Sequence, residues 1–175
     1  RIQNLSGGGD VLSTKRCLEQ LGIQFSLIQN ELIVHGRGRN SFVTPSSILD
    51  CQNSGTSMRL LMALIAGQNI EATLTGDESL LKRPMKRIAE PLKLMGAQIQ
   101  LFRDEFAPVQ ILRSTKLQAV DFELKIASAQ LKSALILASL YAEGVTRLTG
   151  QLQSRDHTEL MLIHPRRRSG LRRLL

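Results

Sequence analysis

Two stretches of this chain close on the same Leu-Thr-Gly triplet, at positions 74 to 76 and 148 to 150, and what precedes each is alike. TSMRLLMALIAGQNIEAT leads into the first and AQLKSALILASLYAEGVTR into the second. A second landmark keeps the same offset of 74 residues. Gly22 and Gly96 each follow a helical pattern, DVLSTKRCLEQL from Asp10 and RPMKRIAEPLKLM from Arg83. Two separate landmarks at one offset predict an internal repeat, longer than a solenoid unit and suited to a repeated α/β subdomain.

The local patterns fill in that repeat. Met58, Leu61, Met62 and Ile65 recur at three- and four-residue intervals, as do Leu131, Leu135, Ala138 and Ala142, which predicts two helices with an apolar stripe. Gly22 and Gly96 suit left-handed helix caps. Alternating apolar residues follow each, Ile23, Phe25 and Leu27 in one copy and Ala97, Ile99 and Leu101 in the other, the period of a strand with one buried face. Return strands are expected over residues 30–34 and 107–111. The fold class is therefore α/β, built from repeated βαβαββ units, with about two units and part of a third in the chain.

Composition narrows the function classes. The longest wholly apolar stretch, Leu60 to Ala66, is far short of the roughly 20 residues that span a bilayer, so no membrane partner is expected. The net charge of +8 owes five positive charges to the last twelve residues, which hold Arg166, Arg167, Arg168, Arg172 and Arg173 and no acid. The remainder is mildly basic, as suits small anionic ligands. Cys17 and Cys51 have no metal-ligand spacing, so neither a zinc site nor a disulfide framework is expected and a reducing compartment is the default. One Tyr and five Phe offer little on which nucleic-acid bases could stack.

Four segments place polar groups at predicted helix starts. In Leu49–Leu61 (LDCQNSGTSMRLL) a strand runs into an Asn-Ser-Gly-Thr turn, where free backbone N–H groups and the helix dipole favour an anion. Gly55 permits close approach, Thr56 carries a hydroxyl and Arg59 lies one turn on; an ordinary N-cap turn with a solvated arginine is an equal reading. In Gly76–Met85 (GDESLLKRPM), Pro84 is expected at the first helical position with Arg83 as an anion clamp, or else the segment is an exposed basic loop. Ala127 to Ser133 (ASAQLKS) sets hydroxyl and amide groups at a helix start, or is a plain Ser cap. In Ser154–Glu159 (SRDHTE), Ser154 or Asp156 suits a cap, Arg155 suits a phosphate, and His157 is either a ligand contact or a surface residue. No nucleophile and base pair stands out.

At these residues the sequence resembles the 5-enolpyruvylshikimate-3-phosphate (EPSP) synthases, the 3-phosphoshikimate 1-carboxyvinyltransferases. LDCQNSGTSMRLL is similar to the family's L-D-x-G-N-x-G-T-x-x-R-L segment and TGDESLLKRPM to its T-G-D-x-S-L-x-x-R-P-M. SAQLKSALILASLYAEG is similar to S-A-Q-x-K-S-A-L-L-L-A, and SRDHTELML to S-R-D-H-T-E-R-M-L. The likeness covers residues 1–162, read as a partial N-terminal-type domain, and leaves 163–175 as a basic tail foreign to the family. Gln52 departs from the family's Gly and Leu160 from its Arg. The fold that the resemblance implies is the family's inside-out α/β barrel domain.

The activity it implies is transfer of the enolpyruvyl group of phosphoenolpyruvate to the 5-hydroxyl of shikimate 3-phosphate, releasing phosphate, in the shikimate pathway of aromatic amino acid biosynthesis. No metal or organic cofactor is implied. Gly55, Thr56, Arg83 and Gln130 would contact phosphoenolpyruvate; Ser128, Ala129, Gln130, Ser154 and Arg155 would hold shikimate 3-phosphate; Arg59 would brace the loop. Acid and base residues would lie in a second domain, so the chain as given is expected to be an inactive fragment with no catalytic residue of its own. The full-length protein is expected to be a monomer, cytoplasmic in a bacterium or else plastid, and open to glyphosate because Gly55 is unsubstituted. The alternatives are the sister transferase acting on UDP-N-acetylglucosamine, whose Cys-bearing loop has no counterpart at Cys17 or Cys51, and a nucleic-acid-binding α/β module.

Overall fold

The repeat is realised as one sheet design, drawn in full once and in part twice. The computed structural model describes residues 1–114 and 116–163. The first elements are β1 (Ile2–Gln3), α1 (Gly9–Gln20), β2 (Gln24–Ile28) and β3 (Glu31–His35). Then come β4 (Leu49–Asp50), α2 (Gly55–Ala66), β5 (Ala72–Thr75), α3 (Glu78–Leu81), α4 (Lys86–Leu94), β6 (Gln98–Phe102) and β7 (Phe106–Leu112). The last are β8 (Asp121–Leu124), α5 (Ala129–Ser139), β9 (Arg147–Gly150) and α6 (His157–Ile163).

The middle sheet has the order β4-β5-β7-β6, with β4 parallel to β5 and the other pairings antiparallel. The first sheet, β1-β3-β2, is antiparallel throughout and reproduces the last three strands of that pattern. The third, β8 parallel to β9, reproduces its first two. Among the described residues only one unit thus has all its strands, where the sequence pattern predicts about two and part of a third. The basic tail falls outside the described residues from 164 onward.

The barrel implied by the resemblance is not formed: among the described residues no sheet closes on itself. Closure requires the two edge strands of one sheet to pair, and here β4 and β6 remain opposite edges of the middle sheet. Helices occupy the interior instead. Met58, Leu61, Met62, Ala63, Ile65 and Ala66 of α2 are buried, as are Leu131, Ala134, Leu135 and Ala138 of α5 and Ile88, Ala89 and Leu92 of α4, all in one core. The strands alternate, as in β7, where Ala107, Val109 and Ile111 are buried and Pro108 and Gln110 exposed, so each sheet is a panel with one face on that core.

Local chemistry explains the matching helix ends. Gly22 and Gly96 adopt φ of 91° and 99°. In the first, Gly22 N donates to Glu19 O (2.9 Å) and Ile23 N to Leu18 O (2.9 Å); in the second, Gly96 N donates to Lys93 O (2.9 Å) and Ala97 N to Leu92 O (3.0 Å). Both are Schellman closures, which reverse the chain into the next strand. Pro84 departs from its expected place. The backbone N–H groups of Met85 and Lys86 donate to Glu105 O (2.7 and 3.2 Å), so α4 begins at Lys86 and Pro84 lies in the turn after α3.

Residues one period apart meet across α2 and α5. Thr56 bonds Gln130 at one end, and at the other a Cβ on Gly67 would lie 2.4 Å from the ring of Tyr141. The two helices therefore run side by side with their N-termini at the same end.

Candidate functional site

The mouth of α2 is assembled from its own turn. Cys51 N donates to Thr75 O (2.9 Å), which anchors the end of β4 on β5, and Ser54 N donates back to Cys51 O (2.9 Å). Between them Gln52 takes φ 55°, the left-handed region that costs a non-glycine residue ~1 kcal/mol. Its amide is held by Asp50 Oδ1 (2.8 Å) and its side chain by Asp50 Oδ2 (2.6 Å). Ser54 is the N-cap, its Oγ accepting from Ser57 N at 3.1 Å. The Thr56 hydroxyl is thereby spared the capping role and accepts from Gln130 Nε2 at 2.8 Å.

Two arginines stand on Gly55. A Cβ there would be 2.5 Å from Arg59 Nη1 and 3.4 Å from Arg83 Nη1. Arg59 donates to Gly55 O (3.2 Å), Gln130 Oε1 (3.1 Å) and Pro84 O (3.3 Å), so one guanidinium ties the α2 mouth, the α5 mouth and the α3–α4 turn together. Arg83 donates to Asn53 Oδ1 (2.8 Å) and Ser79 Oγ (3.2 Å). Burial first, then the charges of Arg83 and Arg87, push the Arg59 pKa down. An arginine still keeps its proton at neutral pH, so the crowding of like charge expresses itself as a field that an incoming anion relieves. Asp77 steadies the rim. It accepts from Asn53 Nδ2 (2.7 Å) and Leu80 N (2.8 Å), and those two bonds, ahead of the nearby Arg83 charge, hold its carboxyl below the usual carboxylate range.

The mouth of α5 repeats the design with different groups. Ser128 caps the helix, its Oγ accepting from Leu131 N at 3.3 Å, which leaves its O–H free to donate outward. Ala129 and Gln130 follow as the first helical residues. Ser154 lies in the loop between β9 and α6, where Ser154 N donates to Leu152 O (2.8 Å) and its Oγ is buried without a hydrogen-bond partner among the described residues. Arg155, Asp156 and His157 are exposed.

One group that the sequence reading passed over joins this loop to α5. The Lys132 side chain, only 6% exposed, reaches Glu159 Oε1 on α6 at 2.6 Å and the carbonyls of Leu152 (3.3 Å) and Ser154 (3.4 Å). Thr158 Oγ1 and Ser133 Oγ, 2.7 Å apart, make a second tie between α5 and α6. The signal was present in the 74-residue alignment, which lays Lys132 on Met58, a position without exposure.

The structure thus gathers Gly55, Thr56, Arg83 and Gln130 into one bonded cluster braced by Arg59. It places Ser128, Ala129 and Gln130 on the start of α5, with Ser154 and Arg155 on the loop that Lys132 grips. These residues form an open wall. Two concavities elsewhere, of about 350 Å³ beside Ser46 and Thr73 and about 460 Å³ beside Arg39 and Tyr141, contain none of them. Chemically, the wall offers two helix N-termini, guanidinium groups and hydroxyls, the equipment for binding anionic and hydroxylated ligands side by side.

Comparison with known proteins matches residues 1–165 to the model of the family described as EPSP synthase (3-phosphoshikimate 1-carboxyvinyltransferase). The chain is 46% identical over 161 residues to the 3-phosphoshikimate 1-carboxyvinyltransferase of Syntrophomonas wolfei, covering 92% of this chain and 38% of that protein. It is 43% identical over 162 residues to the Bacillus subtilis protein of the same name, with the same coverage. Among solved structures, the EPSP synthase of Acinetobacter baumannii superposes with a TM-score of 0.88 at 42% identity, covering 92% of this chain and 37% of that one. The chain spans about 38% of the length of the curated relatives it matches.

Proposed function

The chain belongs to the EPSP synthase family, and from that premise we propose that it supplies one wall of a site where the enolpyruvyl group of phosphoenolpyruvate passes to the 5-hydroxyl of shikimate 3-phosphate. The observation that carries this reading is the pairing of the two helix mouths by the 2.8 Å bond between Gln130 Nε2 and Thr56 Oγ1. Two anionic substrates that must react with each other need adjacent anion sites, and a bond joining two helix N-termini supports such an arrangement.

In this proposal Gly55, Thr56 and Arg83 bind the phosphate and carboxylate of phosphoenolpyruvate, with Gly55 bare because a side chain would collide with Arg59. Gln130 lies between the substrates. Ser128 donates its free hydroxyl proton to a shikimate oxygen, Ala129 lends its backbone, and Ser154 and Arg155 take the 3-phosphate. A proton added to the methylene carbon of phosphoenolpyruvate develops positive charge on the neighbouring carbon, and the 5-hydroxyl oxygen adds there as its own proton leaves. The tetrahedral adduct then expels phosphate while a methyl proton is removed to restore the double bond. The proton carriers are the acid and base residues that the resemblance places in a second domain. Fixed charges and dipoles stabilise such a course without a covalent nucleophile. A cytoplasmic location accompanies the reading, and no described helix is long and apolar enough to cross a membrane.

Calorimetric titration of shikimate 3-phosphate and of shikimate tests it. The phosphorylated ligand should bind at least ~10-fold more tightly, a margin of about 1.4 kcal/mol, and Arg155→Ala should erase it. Equal affinity for the two ligands, or an Arg155→Ala chain that retains the margin, contradicts the proposal.

A further inference from the structure

The 74-residue repeat contains its own control for the Lys132–Glu159 pair. One period earlier, Lys132 falls on Met58 and Glu159 on Met85, and both methionines have 0% exposure in the common core. The α2 position that matches Lys132 is thus apolar in the middle unit, and so is the residue one period before Glu159, although Met85 is the N-cap of α4 and Glu159 lies in the first turn of α6. The last unit has an ion pair instead. Since replacing a buried ion pair with apolar residues of similar volume is often neutral or stabilising, folding alone does not call for the charges here.

The loop supplies the difference. Residues 152–154 correspond to Glu78, Ser79 and Leu80, which in the middle unit lie in α3, capped by Asp77 and closed by Arg83 N donating to Leu80 O at 3.0 Å. In the last unit that segment is not helical. The Lys132 ammonium has three N–H donors, and it spends them on Glu159 Oε1, Leu152 O and Ser154 O. Its own backbone N donates to Ser128 O at 3.0 Å, so the grip is referred directly to the α5 mouth.

We propose that Lys132, held by Glu159, is a positioning pair that fixes the Leu152–Arg155 loop against the start of α5 and so presents Ser154 and Arg155 to the substrate phosphate. The proposal rests on the reading of the previous subsection for the identity of the ligand, while the holding of the loop is independent of it. Lys132 does not touch substrate; it acts through the carbonyls on either side of Gln153.

The test transplants the middle unit's solution. Lys132→Met with Glu159→Met should leave the thermal midpoint at or above that of the parent. Amide exchange of residues 152–155 should accelerate at least ~10-fold, the exchange of α2 staying unchanged. Affinity for shikimate 3-phosphate should fall by about 10-fold while that for unphosphorylated shikimate holds, a split that loss of folding would not produce. Slow exchange in the loop together with undiminished phosphate preference would overturn the proposal. If the parent chain binds no shikimate 3-phosphate, the substrate reading fails, and the exchange data still decide the positioning claim. Should the double variant not fold, ¹⁵N spectroscopy of the lysine ammonium groups in the parent chain decides: the Lys132 Nζ protons should exchange with water at least ~10-fold more slowly than those of exposed Lys82, and equal rates would refute the grip.

Discussion

The mouths of α2 and α5 are the same structure solved twice. Each has a Ser N-cap, Ser54 and Ser128, 74 residues apart, followed by a small residue, Gly55 or Ala129, and then by the pair Thr56 and Gln130 that joins them. The α2 mouth is braced at the surface by arginines, with Arg59 spanning three elements, and its interior at Met58 is wholly apolar. The α5 mouth is braced from within by Lys132. What differs is the segment that follows the parallel strand: a short helix satisfies its own carbonyls after β5, whereas the loop after β9 needs a donor brought to it. A repeat can keep its fold while its interior charges follow the needs of its loops.

The sharpest way to break this comparison is to exchange the interiors. Met58→Lys places an ammonium where no counterpart to Glu159 and no open loop carbonyls await it, and should cost about 4 kcal/mol in urea unfolding; a loss under ~1 kcal/mol would show that the two interiors are equivalent after all. Next in size is the close approach of the helices at their far ends. Gly67→Ala puts a methyl 2.4 Å from the Tyr141 ring and 2.7 Å from its Cβ, an overpacking that should cost about 2 kcal/mol and lower the melting temperature by about 6 °C. An unchanged melting temperature would mean that α2 and α5 are not in register. The smallest effect is confined to the α2 mouth. Gln52→Gly relieves the strain of φ 55° but loses the side-chain bond to Asp50, leaving a net gain of about 0.5 kcal/mol by chemical denaturation. A loss would show that the Asp50 bond outweighs the strain.

Much of this molecule could be read without its coordinates. The helix over 55–66, the strands after Gly22 and Gly96, and the left-handed caps themselves all follow from short-range rules, because a 3.6- or 2-residue period and a glycine at a helix end act within a few residues of chain. The Asn-Ser-Gly-Thr turn and the Ser128 start were legible for the same reason, whereas for Arg59 the residues alone left a solvated arginine equally open, and only the resemblance implied the bracing role that its three acceptors fit. Gln52 stands where the family has a glycine, and its positive φ, which a glycine adopts without strain, supplies the physical cause.

The sequence by itself therefore determined the repeat, its elements and the polar groups that open each helix. Tertiary structure decided how those pieces met. The resemblance implied a closed barrel, but closure depends on which strand edges pair across the whole domain, and nothing in a strand's own alternation names its neighbour. Pro84 was displaced from the helix start by Glu105, a residue of the β6–β7 turn that no local rule brings near. The bond between Thr56 and Gln130 and the burial of Lys132 against Glu159 likewise join residues 74 and 27 positions apart. Local preferences are set by steric and solvation terms within a turn or two of chain, whereas these contacts exist only once α2 and α5 lie side by side.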